Sequence, residues 1–328
     1  MVYTPFLLVF HITGRCNLRC AYCYASPYER IDLTFEEAEN VLSQAAGLGT
    51  KHVILSGGEA LLHPDFYRIA ERVNELGMRV HLTSNGTLID DTVAEKLKSL
   101  DAFVTISLDG SRPEVNDPLR GIGTFSSAIS AIDTLIKCGV PTSMRMTLVR
   151  QNVDDVRNYL DLAIEHNVDR CIIERVTAIR EVQQSYALEP TSLEVCGVFE
   201  TMAEYADRLN VGSNDPLWVL FRRDILEKYR NKKHICGGCT AGVASITVLP
   251  DLVVTPCPRL PIAVGNLRED SLEDVWLGSE VLQNLRKREL FDGCSSCEYK
   301  YLCGGCRGAA YAHGSYLGKD PQCWRVNK

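Results

Sequence analysis

The run Thr13-Gly14-Arg15-Cys16-Asn17-Leu18-Arg19-Cys20-Ala21-Tyr22-Cys23-Tyr24 sets three cysteines in C-x3-C-x2-C spacing. Cysteine thiolates hold iron–sulfur clusters, and three of them on one tight loop suit three corners of a four-iron cluster. The next cysteine is Cys138, so the loop carries no fourth ligand of its own. Such a cluster keeps one iron open to a small molecule. Structural zinc wants four ligands, which the triplet does not supply, and neighbouring His11 falls in a strand-like run.

Around this loop, strand-like and helix-like segments alternate. Short runs rich in β-branched residues at 7–12, 52–56, 79–83, 103–108, 142–149 and 171–176 read as buried parallel strands. Helix-length segments lie between them at 34–48, 65–76, 90–100, 124–138 and 153–166. Thr34 followed by Glu37 has capping-box spacing, and Gly77 and Gly139 stand where helices should stop. The alternation predicts an α/β fold, a partial (β/α)6 TIM barrel with right-handed crossovers and its active site at the carboxyl ends of the strands. A further helix is expected at 192–209. The expected division is a barrel core at 1–215, a linker at 216–235 and a small, loop-rich C-terminal iron–sulfur domain at 236–328.

The 328 residues are long enough for one large domain and a smaller one. Net charge is −7 with no long basic run, which argues against nucleic acid or an anionic membrane as partner. The longest apolar stretch, near Phe6 to Phe10, is too short to span a bilayer, and no signal-peptide pattern precedes it. A cytoplasmic location is expected. Fourteen cysteines in that compartment point to metal rather than to disulfides. Cys138, Cys171 and Cys196 stand apart and are expected to be buried small apolar residues.

The triplet with Tyr22 before its last cysteine, placed after a first barrel strand, resembles the radical S-adenosylmethionine (SAM) enzymes. The likeness continues in Ser56-Gly57-Gly58-Glu59, which is similar to the family's Gly-Gly-Glu motif. The resemblance implies that Gly57, Gly58 and Glu59 hold the methionine amino group of SAM. Glycine permits close backbone approach and a carboxylate complements an ammonium. Ala60 stands where the family usually has proline. Thr83-Ser84-Asn85-Gly86-Thr87 and Ser107-Leu108-Asp109-Gly110 resemble the segments that contact ribose and methionine. Ser84, Asn85 and Ser107 are the candidate partners, with Asp109 behind them. Arg120 is a candidate for the methionine carboxylate, and Tyr22 for packing against cluster and adenine.

The C-terminal cysteines run Cys236-x2-Cys239, Cys257, Cys294-x2-Cys297-x5-Cys303-x2-Cys306 and Cys323. Eight make two sets of four. This resembles the SPASM extension, which carries two auxiliary 4Fe-4S clusters. By position the likeness implies Cys236, Cys239, Cys257 and Cys306 for one, and Cys294, Cys297, Cys303 and Cys323 for the other. Two zinc ribbons are the alternative. Val264-Gly265-Asn266-Leu267 and Leu272-Glu273-Asp274-Val275-Trp276 also fit the extension. Departures are Leu252 where a glycine is usual, and the x2 spacing between Cys303 and Cys306.

The resemblance implies three 4Fe-4S clusters, SAM, a reductant such as flavodoxin or ferredoxin, and a 5′-deoxyadenosyl radical that removes hydrogen from substrate. Cys16, Cys20 and Cys23 then carry the catalysis. Full sets of four favour electron transfer at the auxiliary clusters. The expected substrate is a peptide or protein undergoing maturation; the alternative is a tetrapyrrole or another small cofactor precursor. Cys257 is followed by Pro258 and Arg259, not by the aspartate base of the formylglycine-forming relatives. Arg145 and Glu174 face the barrel mouth, and His63, His234 and His313 are lone histidines, which are usually structural. A non-catalytic electron carrier or zinc module would need the cysteines but not Gly57-Gly58-Glu59 or Asn85.

Overall fold

The computed structural model describes residues 3–24, 31–178, 183–229 and 231–325. Its strands and helices run β1 (Leu7–Thr13), α1 (Phe35–Gly47), β2 (His52–Gly57), α2 (Phe66–Glu75), β3 (Arg79–Ser84), α3 (Asp91–Ser99), β4 (Phe103–Ser107), α4 (Pro113–Arg120), α5 (Thr124–Cys138), β5 (Thr142–Leu148), α6 (Val156–Glu165) and β6 (Arg170–Arg175). There follow α7 (Ser192–Glu204), β7 (Val211–Gly212), α8 (Arg223–Tyr229), β8 (Ser245–Val248), β9 (Val253–Thr255), β10 (Gly265–Asn266), α9 (Leu272–Gly278), α10 (Glu280–Leu285) and α11 (Arg307–Ala312).

The six expected strands lie side by side in chain order and pair in parallel. Helices pack on one face. Helix α1 buries Ala38, Val41, Leu42 and Ala45, spaced by three and four residues, against alternate strand residues such as Phe10, Val53 and Leu55. Each fully buried Leu or Val side chain contributes about 1.5–3 kcal/mol. The capping box on α1 forms as expected: Glu37 N–H donates to Thr34 Oγ1 at 3.1 Å, and Thr34 N–H donates to Glu37 Oε2 at 2.9 Å. Gly139 ends α5 in the left-handed region at φ 80°.

The sheet is larger than the sequence suggested. It has ten strands in the order β10-β9-β8-β1-β2-β3-β4-β5-β6-β7. Strand β8 pairs in parallel with β1, and β9 and β10 extend that edge antiparallel. The outer strands β10 and β7 leave the barrel open. The short helix α4, with Pro118 inside it, was not expected, and residues 150–155 form a 3-10 turn before α6. Helix α7 stops at Glu204 rather than at 209.

The expected linker is partly ordered into a 3-10 turn (Pro216–Phe221) and α8; Arg230 lies outside the described residues. Trp218 is buried against Phe199 and Phe221, so this stretch is packed rather than loose. Cys171 is fully buried, as expected, but Cys138 and Cys196 are only half-buried. They sit on α5 and α7, and Cys196 Sγ points toward Glu200 one turn on. None of the described helices is long and apolar enough to cross a membrane.

Candidate active site

The first cysteine loop leaves the carboxyl end of β1 and is tied down along its length. Leu18 N–H donates to Cys16 Sγ at 3.4 Å, Cys23 N–H to Cys20 O at 3.2 Å, and Ala21 N–H to Leu119 O of α4 at 2.9 Å. The three thiols feel one another and, at Cys16, the carboxylate of Glu59. Burial pushes the Cys20 thiol up to about 11, against the pull of the Arg120 cation.

The Gly57-Gly58-Glu59 turn packs on the start of this loop. Gly58 N–H donates to Thr13 O and Glu59 N–H to Arg15 O, each at 2.8 Å. A Cβ on Gly57, whose φ is +130°, would overlap the Thr13 carbonyl, and one on Gly58 the Arg15 carbonyl. The close approach these glycines permit brings the chain's own backbone together and so holds β2 against the cysteine loop. Gly58→Ala is expected to cost about 1–3 kcal/mol through overpacking. Chemical denaturation of the anaerobic protein measures it, and a loss under about 0.5 kcal/mol would contradict the packing argument.

Glu59 is 1% exposed. Its Oε2 accepts from Asn85 N–H at 2.8 Å and its Oε1 from Leu61 N–H at 3.4 Å. Burial lifts this carboxyl above its ordinary range, against the hydrogen bonds from Asn85, Ser84 and Leu61. An ionised carboxylate has about four acceptor sites, so capacity remains for an ammonium. Asn85 Nδ2 donates to Asn17 Oδ1 at 2.9 Å, joining the end of β3 to the residue after Cys16. Ser84 Oγ accepts from Gly86 N–H at 3.0 Å.

Tyr22, half-buried, joins the buried Asp109 and Arg120 in one hydrogen-bonded unit. The Tyr22 hydroxyl donates to Asp109 Oδ2; Arg120 Nη1 donates to Tyr22 Oη at 2.6 Å and to Asp109 Oδ2 at 3.0 Å. Thr147 N–H donates to Asp109 Oδ1 at 2.7 Å. Burial, eased by the Arg120 cation, holds the Tyr22 phenol well above its usual range, so it stays a donor. The sequence assigned Arg120 to a ligand carboxylate and Tyr22 to packing. The structure spends Arg120 Nη1 on its own Asp109 and Tyr22, which pins the cysteine loop to β4 and α4. Ser107, at the end of β4, is half-buried and in register with Arg145.

Across the mouth, Glu174 of β6 is held between two arginines. Arg145 Nε lies 3.8 Å from Glu174 Oε1, and Arg259 Nη1 lies 3.6 Å from Glu174 Oε2. Asn214 Nδ2 donates to Glu174 Oε1 at 2.5 Å. Burial pushes the Glu174 carboxyl up, but Arg145 and Arg259 outweigh it and keep it below the ordinary range. Arg145 Nε and Arg170 Nε are buried without a hydrogen-bond partner. Tyr24, pushed up to about 12 by burial, sits where it feels Cys23, Arg145, Arg259 and Cys257 together. His63 is structural: its Nε2 bonds Leu33 O at 2.8 Å. His313 Nε2 meets Glu189 Oε2 at 2.8 Å.

Seven of the eight C-terminal cysteines are seen near others of the set. Cys294, Cys297, Cys303 and Cys323 line a single cavity. Cys257 instead feels Cys239 and Cys306. Among the described residues no three histidine, cysteine or acidic side chains converge to hold a single ion. Four thiols around one cavity suit a 4Fe-4S cluster. Gly238 is required for this assembly, because a Cβ there would overlap the Cys303 carbonyl. The donor set around that cavity thus fits a 4Fe-4S cluster, and the Cys16, Cys20 and Cys23 thiols lie close to one another on the first loop.

Two segments match family models: residues 10–163 match the radical SAM superfamily and residues 236–298 an iron–sulfur cluster-binding domain, SPASM. The chain belongs to the radical SAM superfamily and carries a C-terminal SPASM domain. It is a SAM-dependent enzyme whose cofactors are SAM and 4Fe-4S clusters. An AdoMet-dependent heme synthase of Methanosarcina barkeri is 30% identical, over 98% of this chain and 97% of that protein. A mycofactocin maturase, MftC, of Mycolicibacterium smegmatis is 28% identical, over 97% of this chain and 82% of that one. Among solved structures, Streptococcus suis SuiB bound to its precursor peptide SuiA matches 99% of this chain and 77% of its own, with TM-score 0.80 and 19% identity. The enzyme anSMEcpe with bound AdoMet and a peptide matches 98% of this chain and 94% of its own, with TM-score 0.77 and 19% identity. These two show the partial-barrel fold.

The sequence reading did not find Arg175, Asp215, Asp320 and Gln322, a buried polar group joining β6 to the last cysteine loop. The partners of Arg175 lie 40 to 147 residues away, and no local spacing marks them.

Proposed function

We propose that this radical SAM enzyme oxidises a small substrate bearing carboxylates, of the tetrapyrrole class, and that Arg145, Arg170 and Arg259 receive those carboxylates. The observation that carries this is an imbalance of charge. Three guanidiniums influence Glu174, between the Cys23 loop and Cys257, and the other carboxylate that Arg259 feels, Asp215, is held by Arg175. The ion pairs from Arg145 and Arg259 to Glu174 are long, and N–H groups of Arg145 and Arg170 are unspent. Arginine presents a planar fork that matches a carboxylate. The end-to-end similarity to an AdoMet-dependent heme synthase supports the same class. A peptide or protein substrate is the second reading, and the similarity to MftC over 97% of the chain favours it.

Residues 1–215 are inferred to act as the barrel core and 236–328 as the auxiliary-cluster unit, joined by 216–235. Cys16, Cys20 and Cys23 would hold the first cluster, and the two groups of four the auxiliary ones. When bound and reduced, the first cluster supplies one-electron cleavage of SAM to methionine and a 5′-deoxyadenosyl radical. The chain's part is positional. Glu59 would accept from the methionine ammonium, with Asn85 fixing its direction. Ser84, Asn85 and Ser107 would contact the ribose and methionine ends. Tyr22, Asp109 and Arg120 keep the cysteine loop seated.

The test uses anaerobically reconstituted protein with dithionite, SAM and iron coproporphyrin III as probe. Substrate-stimulated 5′-deoxyadenosine with loss of carboxyl groups is expected. Arg259→Met should weaken probe binding by about 10- to 100-fold, the value of one hydrogen bond to a charged group, while SAM cleavage without substrate stays unchanged. Probe turnover by Arg259→Met at the wild-type KM would remove the receptor. Stimulation by a precursor peptide and not by the tetrapyrrole would establish the second reading.

A further inference from the structure

Two arginines in the C-terminal region have no ordinary explanation. Arg288 is 1% exposed and Arg307 is 0% exposed. Among the described residues neither has a carboxylate within ion-pair distance. Arg288 Nη2 donates to Cys239 O at 2.6 Å, and Arg307 Nη1 donates to Gly318 O at 2.8 Å and Tyr316 O at 3.1 Å. Arg288 Nε and Arg307 Nη2 are buried with no hydrogen-bond partner. The two guanidiniums share one buried ring, lying 5.2 Å and 4.4 Å from the centroid of Phe291, and Arg288 feels the charge of Arg307.

Two like charges buried side by side, each with an unspent donor, are costly unless an anion joins them. Asp320 feels Arg307 from beyond ion-pair distance, but its carboxylate is spent on Arg175, and the thiols around the two guanidiniums supply the remaining anion. Arg288 is influenced by Cys239, Cys303 and Cys294, and Cys294 is influenced by Arg307. Gly304, next to Cys303, is crossed so closely by Arg288 Nη1 that a Cβ would collide with it. Gly305 meets Arg307 Nη2 in the same way. Both guanidiniums are therefore pressed against the turn that follows Cys303. A four-cysteine 4Fe-4S cluster is a buried anion whose sulfurs accept hydrogen bonds, and such bonds and nearby charge set its potential.

We propose that Arg288 and Arg307 are the counter-cations and N–H donors of the cluster held by Cys294, Cys297, Cys303 and Cys323, and that they set its reduction potential. They are positioning residues, acting on the cluster and not on substrate. Adding an electron raises the cluster's negative charge, so nearby cations favour the reduced form. Their removal makes the cluster harder to reduce. Arg288 also borders the Cys239 group, so its loss should move both auxiliary clusters, whereas Arg307 should move chiefly one.

The test is a redox titration, read by electron paramagnetic resonance, of full-length reconstituted protein in a Cys16→Ala, Cys20→Ala, Cys23→Ala background that silences the first cluster. Arg307→Met should lower the auxiliary midpoint so that the reduced-to-oxidised ratio falls tenfold at a fixed potential, which is 59 mV for a one-electron couple. Arg307→Lys, which keeps the charge, should recover more than half of that shift. Equal midpoints for wild type and Arg307→Met at full iron content would overturn the proposal, as would equal shifts for Met and Lys. A second measurement needs no variant. Isotopically labelled arginine in the wild-type protein should show guanidinium nitrogen coupled to the reduced auxiliary cluster. Absence of that coupling overturns the assignment even if the substituted proteins fail to fold.

Discussion

Cys20→Ala is expected to abolish SAM cleavage. Reduced, reconstituted protein should release no 5′-deoxyadenosine above background, a fall well beyond the roughly 100-fold that follows loss of an outer partner of a metal ligand. Cys20 is the middle thiol of the loop, close to both Cys16 and Cys23 and to the Asp109–Arg120 pair beneath them. Alanine leaves two thiols, too few to leave a single iron open on a retained cluster. The backbone should survive the change, because the loop is held by Ala21 N–H on Leu119 O and by the Tyr22–Asp109–Arg120 unit rather than by the Cys20 side chain. The auxiliary cysteines are untouched, so iron should drop from about twelve atoms per chain to about eight, at four irons a cluster. Wild-type 5′-deoxyadenosine from Cys20→Ala would detach the radical chemistry from this loop.

The barrel was legible because its signals are local. Buried parallel strands need continuous β-branched runs, and their limits in the structure differ from the sequence expectation by one residue at most ends. Thr34 and Glu37 announce α1 by spacing alone. What escaped has no local pattern. Helix α4 carries Pro118 in its body, which reads as a break, yet it delivers Arg120 to Asp109 and Leu119 O to the cysteine loop. Strand β8 is four residues long and lies among turns and cysteines; only its pairing with β1 makes it part of the barrel sheet.

The same division runs through the site. The cysteines, Gly57, Gly58, Glu59 and Asn85 are visible as motifs. Their partners are not, since the contact between Asn85 and Asn17 spans 68 residues and that between Arg120 and Tyr22 spans 98. A motif names the residues that face a ligand. It is silent on the second set of contacts, such as Thr13 and Arg15 against the two glycines, that fixes where those residues point. In this protein that second set is largely backbone and buried charge.

Arg175 is the extreme case, and Arg175→Ala is expected to destabilise the protein by about 3–5 kcal/mol. It ends β6 at 1% exposure. Its Nε donates to Asp215, its Nη1 to Asp320 Oδ1 at 2.8 Å and Gln322 Oε1 at 2.6 Å, and its Nη2 to Asp320 Oδ2 at 2.5 Å. Asp320 Oδ2 in turn accepts from Cys306 N–H at 2.7 Å, and Asp320 O from Cys323 N–H at 3.2 Å. One cation thus anchors a cysteine of each auxiliary group to the barrel. Alanine would leave Asp215 and Asp320 buried beside each other without their guanidinium, holding only backbone N–H donors from Leu217, Cys306 and Gln322. The pH dependence follows from two shifts of opposite sign: the Asp215 carboxyl stays raised, burial exceeding the pull of Arg175, so its contribution falls as pH rises through the carboxyl range. Burial pushes the Asp320 carboxyl up, but Arg175 outweighs it and holds it below the usual range. Its contribution in the wild type is therefore full above the unfolded carboxyl range and lost as pH falls through that lower value. Without Arg175 the largest influence opposing burial is gone, the carboxyls shift upward against the remaining N–H donors and the more distant Arg259 and Arg307, and the variant loses stability as pH increases. The deficit measured by anaerobic denaturation should be widest near neutral pH and narrow in acid, with Arg175→Lys intermediate because it keeps charge but not the fork. A deficit under about 1 kcal/mol at neutral pH, or one that widens in acid, would show that Arg175 does not clamp the cysteine loop to the barrel.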